Sequence, residues 1–167
     1  KSLLMNRWIE YLNLQPHPEG GWFNEPYRSE EIIKTENLPQ GFEGDRNIST
    51  AIYYLLESPD FSAFHRIKSD EIWHFYAGDP LIIYTIDAQG NLSESLLGNN
   101  SWKDEFPQHV VPKGSWFAAK VKSKGTFTLV GCTVAPGFDF RDFEAGKKED
   151  LQTQFPQHRN IISQLCR

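Results

Sequence analysis

The chain has 167 residues, of which 39% are hydrophobic and 14% aromatic, enough apolar material to bury a core and to exclude a wholly disordered protein. Seventeen Lys and Arg residues against 22 Asp and Glu residues give a net charge of −5. Nucleic acid is therefore not an expected partner, because its phosphates would be repelled.

Apolar runs such as residues 81–86 fall far below the roughly 20 residues that a membrane span needs, so we expect no membrane association. The first residues turn polar too early for a signal peptide, and two cysteines are too few for a disulfide framework. Cys132, in an apolar run, is expected to be a small buried hydrophobic residue. These features predict a cytoplasmic location and a single domain.

The chain opens with helical periodicity, since Leu4, Trp8 and Leu12 recur at i, i+4 and i+8 and predict an amphipathic helix over about residues 2–14. The prolines that follow prevent this helix from continuing. The next segment, residues 20–28, is predicted to be an extended edge segment, because the proline that it contains is tolerated at the edge of a sheet and not at its centre.

A series of short apolar runs follows, separated by turns rich in Gly, Pro, Asn and Asp. Strands at this spacing, with no helical pattern between them, are typical of a sandwich or barrel. The sequence therefore predicts an all-β domain with its core over about residues 18–145 and a closing helix over about residues 156–166. The predicted strands lie at residues 48–56, 62–67, 71–77, 81–87, 92–97, 109–111, 115–119 and 126–134.

The window of residues 64–78 is the part of the chain most typical of a functional site. The spacing of His65, Glu71 and Gly78 resembles the first motif of the cupins, His-x-His-x(3)-Glu-x(6)-Gly, with Ile67 in place of the second histidine. Residues 65 and 67 share one face of a strand, and a tight turn brings residue 71 to the same side on the next strand.

A second stretch, residues 112–117, resembles the other cupin motif, Pro-x-Gly-x(2)-His, with Phe117 at the histidine position. In metal-binding cupins the two motifs supply three histidines and a glutamate, a set suited to iron, manganese, zinc or nickel. Here Ile67 and Phe117 are apolar. His65 and Glu71 alone make a poor site, so no metal is expected.

Six ordered segments make the resemblance closer than superfamily level. Together they are similar to the DUF985 (cupin_5) group of cupins, and the likeness runs from about residue 12 to about residue 145. It implies a double-stranded β-helix, or jelly roll, that pairs into a homodimer. The six segments are residues 18–23, 27–28, 50–56, 70–75, 114–118 and 134–140.

Without a metal, His65 and Glu71 would be an acid–base pair facing an apolar, aromatic-lined cavity. We expect burial to raise the pKa of Glu71, and an ionised Glu71 to raise the pKa of His65. Metal-free cupins that epimerise nucleotide-linked keto-sugars use a histidine base and a tyrosine acid. By this analogy His65 is the base, and Tyr53 or Tyr84 the acid.

Further residues are expected to bind a small polar or sugar-like ligand. Arg28 or Arg66 would hold an anionic group of the ligand, and the remaining candidates are polar groups or aromatic walls of the cavity. The segment at residues 19–22 is either a lid over the cavity or, as we favour, an arm exchanged with a second subunit and anchored by Trp22 and Phe23. The candidate ligand-binding residues are Trp22, Arg28, Asn47, Thr50, Arg66, Trp73, Phe75, Trp116 and Phe117.

Two alternatives to a metal-independent epimerase or isomerase stay open. The first is a metal-dependent oxygenase or isomerase, in which a divalent metal is held by His65, Glu71 and a third ligand, His74 or solvent. Simple alternation along the strand places His74 on the face opposite Glu71. The second is a non-catalytic module that binds or stores a small molecule.

Overall fold

The structure is a computed structural model that describes residues 2–167. Short strands make up most of the chain, and helices occur near its two ends. The helices are α1 (Leu3–Tyr11), α2 (Lys148–Gln154) and α3 (Arg159–Gln164). The strands are β1 (Gln15–Pro16), β2 (Trp22–Arg28), β3 (Ile32–Ile33), β4 (Arg46–Asn47), β5 (Thr50–Glu57), β6 (Phe61–Arg66), β7 (Asp70–Gly78), β8 (Leu81–Ile86), β9 (Leu92–Leu97), β10 (Gln108–Val111), β11 (Trp116–Val121), β12 (Phe127–Ala135) and β13 (Glu144–Ala145).

Two antiparallel sheets face each other and form the body of the fold. The larger has the strand order β1-β2-β5-β12-β7-β10, and the smaller has the order β13-β6-β11-β8-β9. Strands that follow one another in the chain alternate between the sheets in several places, as when β5 leads to β6 and β6 to β7. This is the jelly-roll arrangement, and the predicted all-β fold class is confirmed.

The main core lies between the two sheets. Alternate residues of the strands point inwards, so that Trp73 of β7, Ile83 of β8 and Phe117 of β11 meet there with at most 2% of their surface exposed. Burial of each such side chain contributes roughly 1.5–3 kcal/mol. This core fills one end of the space between the sheets and leaves the other end open.

Helices cover part of the outer face of each sheet, which makes some strands apolar on both sides. Helix α1 packs Met5 against Leu55 and Leu129 of the larger sheet. The Oγ of its N-cap, Ser2, accepts a hydrogen bond from the backbone N–H of Met5 at 3.1 Å. The helix ends earlier than the predicted residue 14, because the backbone turns left-handed at Asn13, with φ of 50°.

The C-terminal region differs from the predicted single helix over residues 156–166. Two short helices, α2 and α3, cover the smaller sheet through Leu151, Ile162 and Leu165, and Pro156 begins a 3-10 turn between them. Helix α2 was not predicted, because Leu151 is its one apolar residue and leaves no periodic pattern to detect. No helix within residues 2–167 is long and apolar enough to cross a membrane.

Candidate functional site

A cavity of about 280 Å3 opens between the two sheets, at the end where β5 and β7 begin. Its wall combines ionisable groups with a largely apolar lining. The polar lining residues are His17, Glu19, Glu25, Arg28, Thr50, His65, Glu71, Cys132 and Asp139. The apolar ones are Pro18, Phe23, Ile52, Ile67, Val134, Phe138, Phe140 and Phe143.

His65 projects into this cavity from β6 of the smaller sheet. Its Nδ1 lies 2.7 Å from the carbonyl oxygen of Ala63, and because a carbonyl only accepts, Nδ1 carries the proton. The other ring nitrogen, Nε2, is then left with a lone pair when the ring is neutral. Burial lowers the pKa of His65 to about 4. The expectation that Glu71 raises it is wrong, because the cost of burying the charged ring dominates.

Glu71 enters the cavity from the facing sheet, as the second residue of β7. Only 9% of the residue is exposed, and burial raises the pKa of its carboxyl to about 7, in the expected direction. The thiol of Cys132 is hydrogen-bonded to this carboxyl, and the pKa of the thiol is raised by its own burial and by the carboxyl. Cys132 is buried as predicted, and it also lines the cavity.

A second histidine, His17, lies in the wall and was not among the predicted site residues. Its Nδ1 accepts a hydrogen bond from the backbone N–H of Glu19 at 3.0 Å, so in the neutral ring the proton is on Nε2. Its ring packs edge-on against Phe23 and Tyr54, with centroids 4.9 Å and 5.5 Å away. Burial lowers the pKa of His17 to about 4.

The two imidazoles therefore have opposite tautomers. Towards a ligand, Nε2 of His65 acts as an acceptor or base and Nε2–H of His17 as a donor. The charge of His17 would lower the pKa of His65, so the rings are near enough to influence each other. Glu71 completes the set from the other sheet, which places His65 and Glu71 on opposite walls of one cavity.

Two predicted ligand-binding residues, Arg28 and Thr50, line the cavity, whereas a third, Asn47, contacts Arg28 and does not line the cavity itself. The guanidinium of Arg28 binds both carboxylate oxygens of Glu25, at 2.7 Å and 2.9 Å, and also donates to Asn47 Oδ1 and to the carbonyl of Phe138. The Oγ1 of Thr50 accepts from the backbone N–H of Phe138 at 2.9 Å. The group thus holds the 138–143 segment in place, and the positive charge of Arg28 is neutralised within the protein.

Three phenylalanines of that segment form the rim of the cavity. The rings of Phe138 and Phe140 meet edge-on at 5.0 Å, and Phe143 stacks on His65 at 5.3 Å. Phe140 is 62% exposed. Residues 134–140 resemble a family signature in the sequence, but they were not among the predicted site residues.

The prediction that Tyr53 or Tyr84 serves in the cavity is wrong. The side chain of Tyr53 points to the outer face of β5, away from its inward-facing neighbour Tyr54. It packs in the cluster under helix α1. Tyr84 lies on the outer face of β8, in the cluster covered by the C-terminal helices. Neither tyrosine lines the cavity.

Three predicted ligand-binding residues also lie on the outer faces of the two sheets: Trp22, Arg66 and Trp116. Trp22 packs in the cluster beneath helix α1, while its neighbour Phe23 takes the place in the cavity. Arg66 forms an ion pair with Glu144 at 2.7 Å and lies over the ring of Trp116 at 4.4 Å. Their predicted role in the cavity is wrong, because each alternates away from an inward-facing neighbour.

The remaining aromatic candidates, Trp73, Phe75 and Phe117, point inwards but belong to the core and its margin. Phe117 lies directly against His65, with ring centroids 4.1 Å apart, and Trp73 packs edge-on behind Phe117 at 6.3 Å. These side chains therefore pack in the core next to the site and do not line the cavity itself.

The donor groups do not fit a bound metal. His74, the third ligand of the metal-dependent alternative, lies on the opposite face of β7 from Glu71, and its Nε2 is 3.0 Å from Thr133 Oγ1. The positions of the two missing cupin histidines hold Ile67 and Phe117. Across residues 2–167, no three His, Cys, Asp or Glu side chains come together to hold a metal ion.

The segment of residues 17–19 contributes to the cavity wall, as the lid alternative for the N-terminal segment requires. The adjoining strand β2 pairs with β5 of the same chain. The hydroxyl of Tyr54 donates to the carbonyl of Gly20 at 2.6 Å, and the backbone N–H of Gly21 donates to Asp60 at 2.9 Å. These contacts hold residues 17–21, called the lid below, against Tyr54 and Asp60 of the same chain.

Comparisons with known proteins cover most of the chain. A family model described as Cupin_5, Cupin superfamily (DUF985), matches residues 6–146. The chain is 33% identical over 160 residues to the uncharacterized protein YML079W of Saccharomyces cerevisiae, an alignment that covers 88% of this chain and 75% of that protein.

Solved structures resemble the fold closely. Protein SO0799 from Shewanella oneidensis is 39% identical, with a TM-score of 0.86 over 97% of this chain and 96% of that one. A hypothetical protein from Leishmania major is 35% identical, with a TM-score of 0.87 over 96% and 97%. Oxalate decarboxylase from Bacillus subtilis is 14% identical, with a TM-score of 0.54 over 90% of this chain and 36% of that one, a likeness of fold alone.

Proposed function

This chain belongs to the Cupin_5 (DUF985) family of the cupin superfamily, and from that premise we propose that it is a small-molecule-binding cupin that isomerises its ligand by proton transfer, without a metal. The observation that carries the proposal is the placement of two proton-transfer groups, His65 and Glu71, on facing walls of one cavity. A third, His17, offers a hydrogen-bond donor from the lid.

The reaction begins at Nε2 of His65, which takes a proton from a carbon next to a carbonyl group of the ligand. The electron pair of the broken C–H bond moves into the enolate, whose oxygen accepts a hydrogen bond from Nε2–H of His17. A base of low pKa needs help to accept this proton. Above its pKa of about 7, Glu71 is ionised, and its carboxylate on the facing wall stabilises the imidazolium that forms.

The proton then returns from the imidazolium to the former carbonyl carbon, while the hydroxyl group on the deprotonated carbon gives its proton to the enolate oxygen. The carbonyl and hydroxyl groups of an α-hydroxy carbonyl ligand thereby exchange places, and no oxidant or reductant is consumed. Within residues 2–167 no tyrosine lines the cavity, so none is placed there to donate a proton from the opposite face. Isomerisation by one histidine is therefore better supported than epimerisation, the other metal-independent reaction predicted from the sequence.

The size of the cavity restricts the ligand. A volume of 280 Å3 corresponds to about nine water molecules at ~30 Å3 each. A molecule of a few carbon and oxygen atoms, polar or sugar-like, fits this space. The nucleotide of a nucleotide-linked sugar would have to remain outside the mouth.

Deuterium exchange tests the proposal. Small aldoses, ketoses and keto-acids are incubated with the protein in D2O, and deuterium at the carbon next to the carbonyl is followed by NMR. We expect exchange that is lost in His65→Gln and kept in His109→Gln, a histidine on β10 outside this cavity. Binding without exchange would overturn the catalytic role and support the non-catalytic alternative.

Metal content is measured on the same untagged protein by plasma mass spectrometry, after purification without chelator. We expect exchange activity that does not change with metal content or with added chelator. One equivalent of a divalent metal on which exchange depends would overturn the metal-independent mechanism.

A further inference from the structure

The charges in the cavity wall do not balance, and they favour one class of ligand. Four carboxyl groups line the cavity, together with one arginine and two histidines. Two of the carboxyls are neutralised by the protein: Glu25 by Arg28, and Asp139 by Arg141, which donates to it at 2.9 Å and 3.0 Å.

The other two carboxyls, Glu19 and Glu71, have no ion-pair partner within residues 2–167. Arg167 is close enough to lower the pKa of Glu19 against the effect of burial, but its guanidinium is bound to Asp60 at 2.6 Å. Glu71 is 9% exposed, and its carboxyl is hydrogen-bonded to the Cys132 thiol. Burial of an ionised carboxylate in this position costs free energy unless a ligand supplies a compensating positive charge.

The histidines do not supply the missing positive charge. In His17, Nδ1 accepts a hydrogen bond from the backbone N–H of Glu19, which only a neutral ring can do. In His65, Nδ1–H donates to Ala63, and burial lowers the pKa of the ring to about 4. Their burial disfavours the charged form. An anionic ligand would therefore meet two unpaired carboxyls and no free cation.

The rim supplies the second element of a cation site. Phe138, Phe140 and Phe143 present three aromatic rings from one segment, with consecutive centroids 5.0 Å and 6.2 Å apart. The faces of aromatic rings attract cations, and clusters of them bind alkylated ammonium groups. Polar donors that would suit a phosphate or a carboxylate are absent from these three side chains.

We propose that the ligand of this cavity is a small organic cation, with an ammonium group that pairs with Glu71 and contacts the phenylalanine rim. The inference rests on the proposed function of the cavity as a ligand site and names the ligand class. It replaces the expectation that Arg28 or Arg66 holds an anion, because Arg28 is neutralised by Glu25 and Arg66 lies outside the cavity.

Isothermal titration calorimetry tests this inference with matched probes. Choline and ethanolamine are the cations, 3,3-dimethylbutan-1-ol is the neutral isostere of choline, and pyruvate is a small anion. We expect both cations to bind at least about tenfold more tightly than the neutral isostere, the ratio for a charge-assisted contact, and pyruvate to bind more weakly still.

Two variants locate the binding. Glu71→Gln keeps the shape of the side chain and is expected to weaken choline binding at least about tenfold. Its control is Glu94→Gln, which changes an exposed carboxylate on β9 and is expected to leave choline binding unchanged.

Phe140→Leu is expected to weaken choline binding about two- to tenfold, with no effect on binding of the isostere. Its control is Phe106→Leu, since Phe106 is 63% exposed and lies outside the cavity.

The outcomes separate the two proposals. If a neutral sugar or pyruvate binds in the cavity and neither cation does, the ligand class is wrong, and the cavity retains its function as a ligand site. Equal affinity for choline and its isostere would also overturn the cation site. If no probe of any class binds, both proposals fail.

Discussion

The guanidinium of Arg46 binds both carboxylate oxygens of Asp142, at 2.8 Å and 2.7 Å, although the two side chains are only 1% and 4% exposed. Arg46 belongs to β4 and Asp142 to the segment that carries the phenylalanine rim. The pair joins residues 96 positions apart in the chain. It therefore anchors the rim of the cavity to the body of the fold.

We predict that Asp142→Asn lowers the free energy of unfolding by about 3 kcal/mol, because it leaves a buried guanidinium without its counter-charge. The control is Glu144→Gln, which removes the exposed ion pair with Arg66, with side chains 39% and 54% exposed. That change is expected to cost less than about 1 kcal/mol. Urea unfolding measures both, and equal losses would show that burial does not govern these pairs.

The lid depends on Gly21, whose φ of 76° lies in the left-handed region. A Cβ atom there would come 2.6 Å from the carbonyl oxygen of Leu55, a backbone atom that cannot move away. We predict that Gly21→Ala costs about 3 kcal/mol of stability, the sum of backbone strain and overpacking, and weakens ligand binding by displacing His17.

Gly114→Ala is the matched control for this change, because Gly114 has φ of 77° and nothing within 4 Å of the added Cβ atom. It isolates backbone strain, so a loss of about 1 kcal/mol is expected. Thermal unfolding and calorimetry are measured on both variants. If they lost the same stability, contact with Leu55 would play no part.

Much of the fold and half of the site could be predicted from the sequence. His65 and Glu71 follow from motif spacing and strand alternation, and the structure places both in one cavity. His17 was missed because residues 12–21 have no periodicity from which an orientation can be read. The short segment His17-Pro18-Glu19, just before two glycines, was the available signal.

The choice of tyrosines failed for a different physical reason. Tyr53 and Tyr54 are adjacent on β5, and a strand that is apolar on both faces does not show which of the two points inwards. The same holds for Tyr84 on β8, whose outer face is covered by the C-terminal helices. Helix α2, which provides part of that cover, was itself not predictable from its composition.

Homodimer formation is predicted from the family resemblance and stays a prediction. The structure adds that strand β10, at one edge of the larger sheet, carries Val110, 50% exposed, close to Phe106, 63% exposed. Unpaired strand edges with apolar side chains favour association. Analytical ultracentrifugation at micromolar concentration is expected to give twice the mass of one chain, and a monomer would contradict the prediction.

Glu71 is expected to make the stability of the protein depend on pH. Its pKa rises from the ordinary 4.5 to about 7 on folding, so the folded state binds a proton that the unfolded state releases. The stabilisation is fully present below the unfolded pKa, and it is lost as the pH rises through about 7. His17 and His65, with their lowered pKa values, act in the opposite direction: their contribution is present above about 6.5 and lost as the pH falls through about 4.

Glu71→Gln separates these effects, because glutamine resembles the protonated carboxyl at every pH. We predict that the stability of Glu71→Gln relative to the parent protein rises by roughly 2–3 kcal/mol from about pH 5 to about pH 8. The histidines and the pairs formed by Glu25 and Asp139 are common to both proteins, so their titration cancels in the difference. Urea unfolding at four pH values measures it. A difference that stays constant with pH would mean that Glu71 is already ionised at pH 5, and that the empty cavity does not hold it in the neutral form.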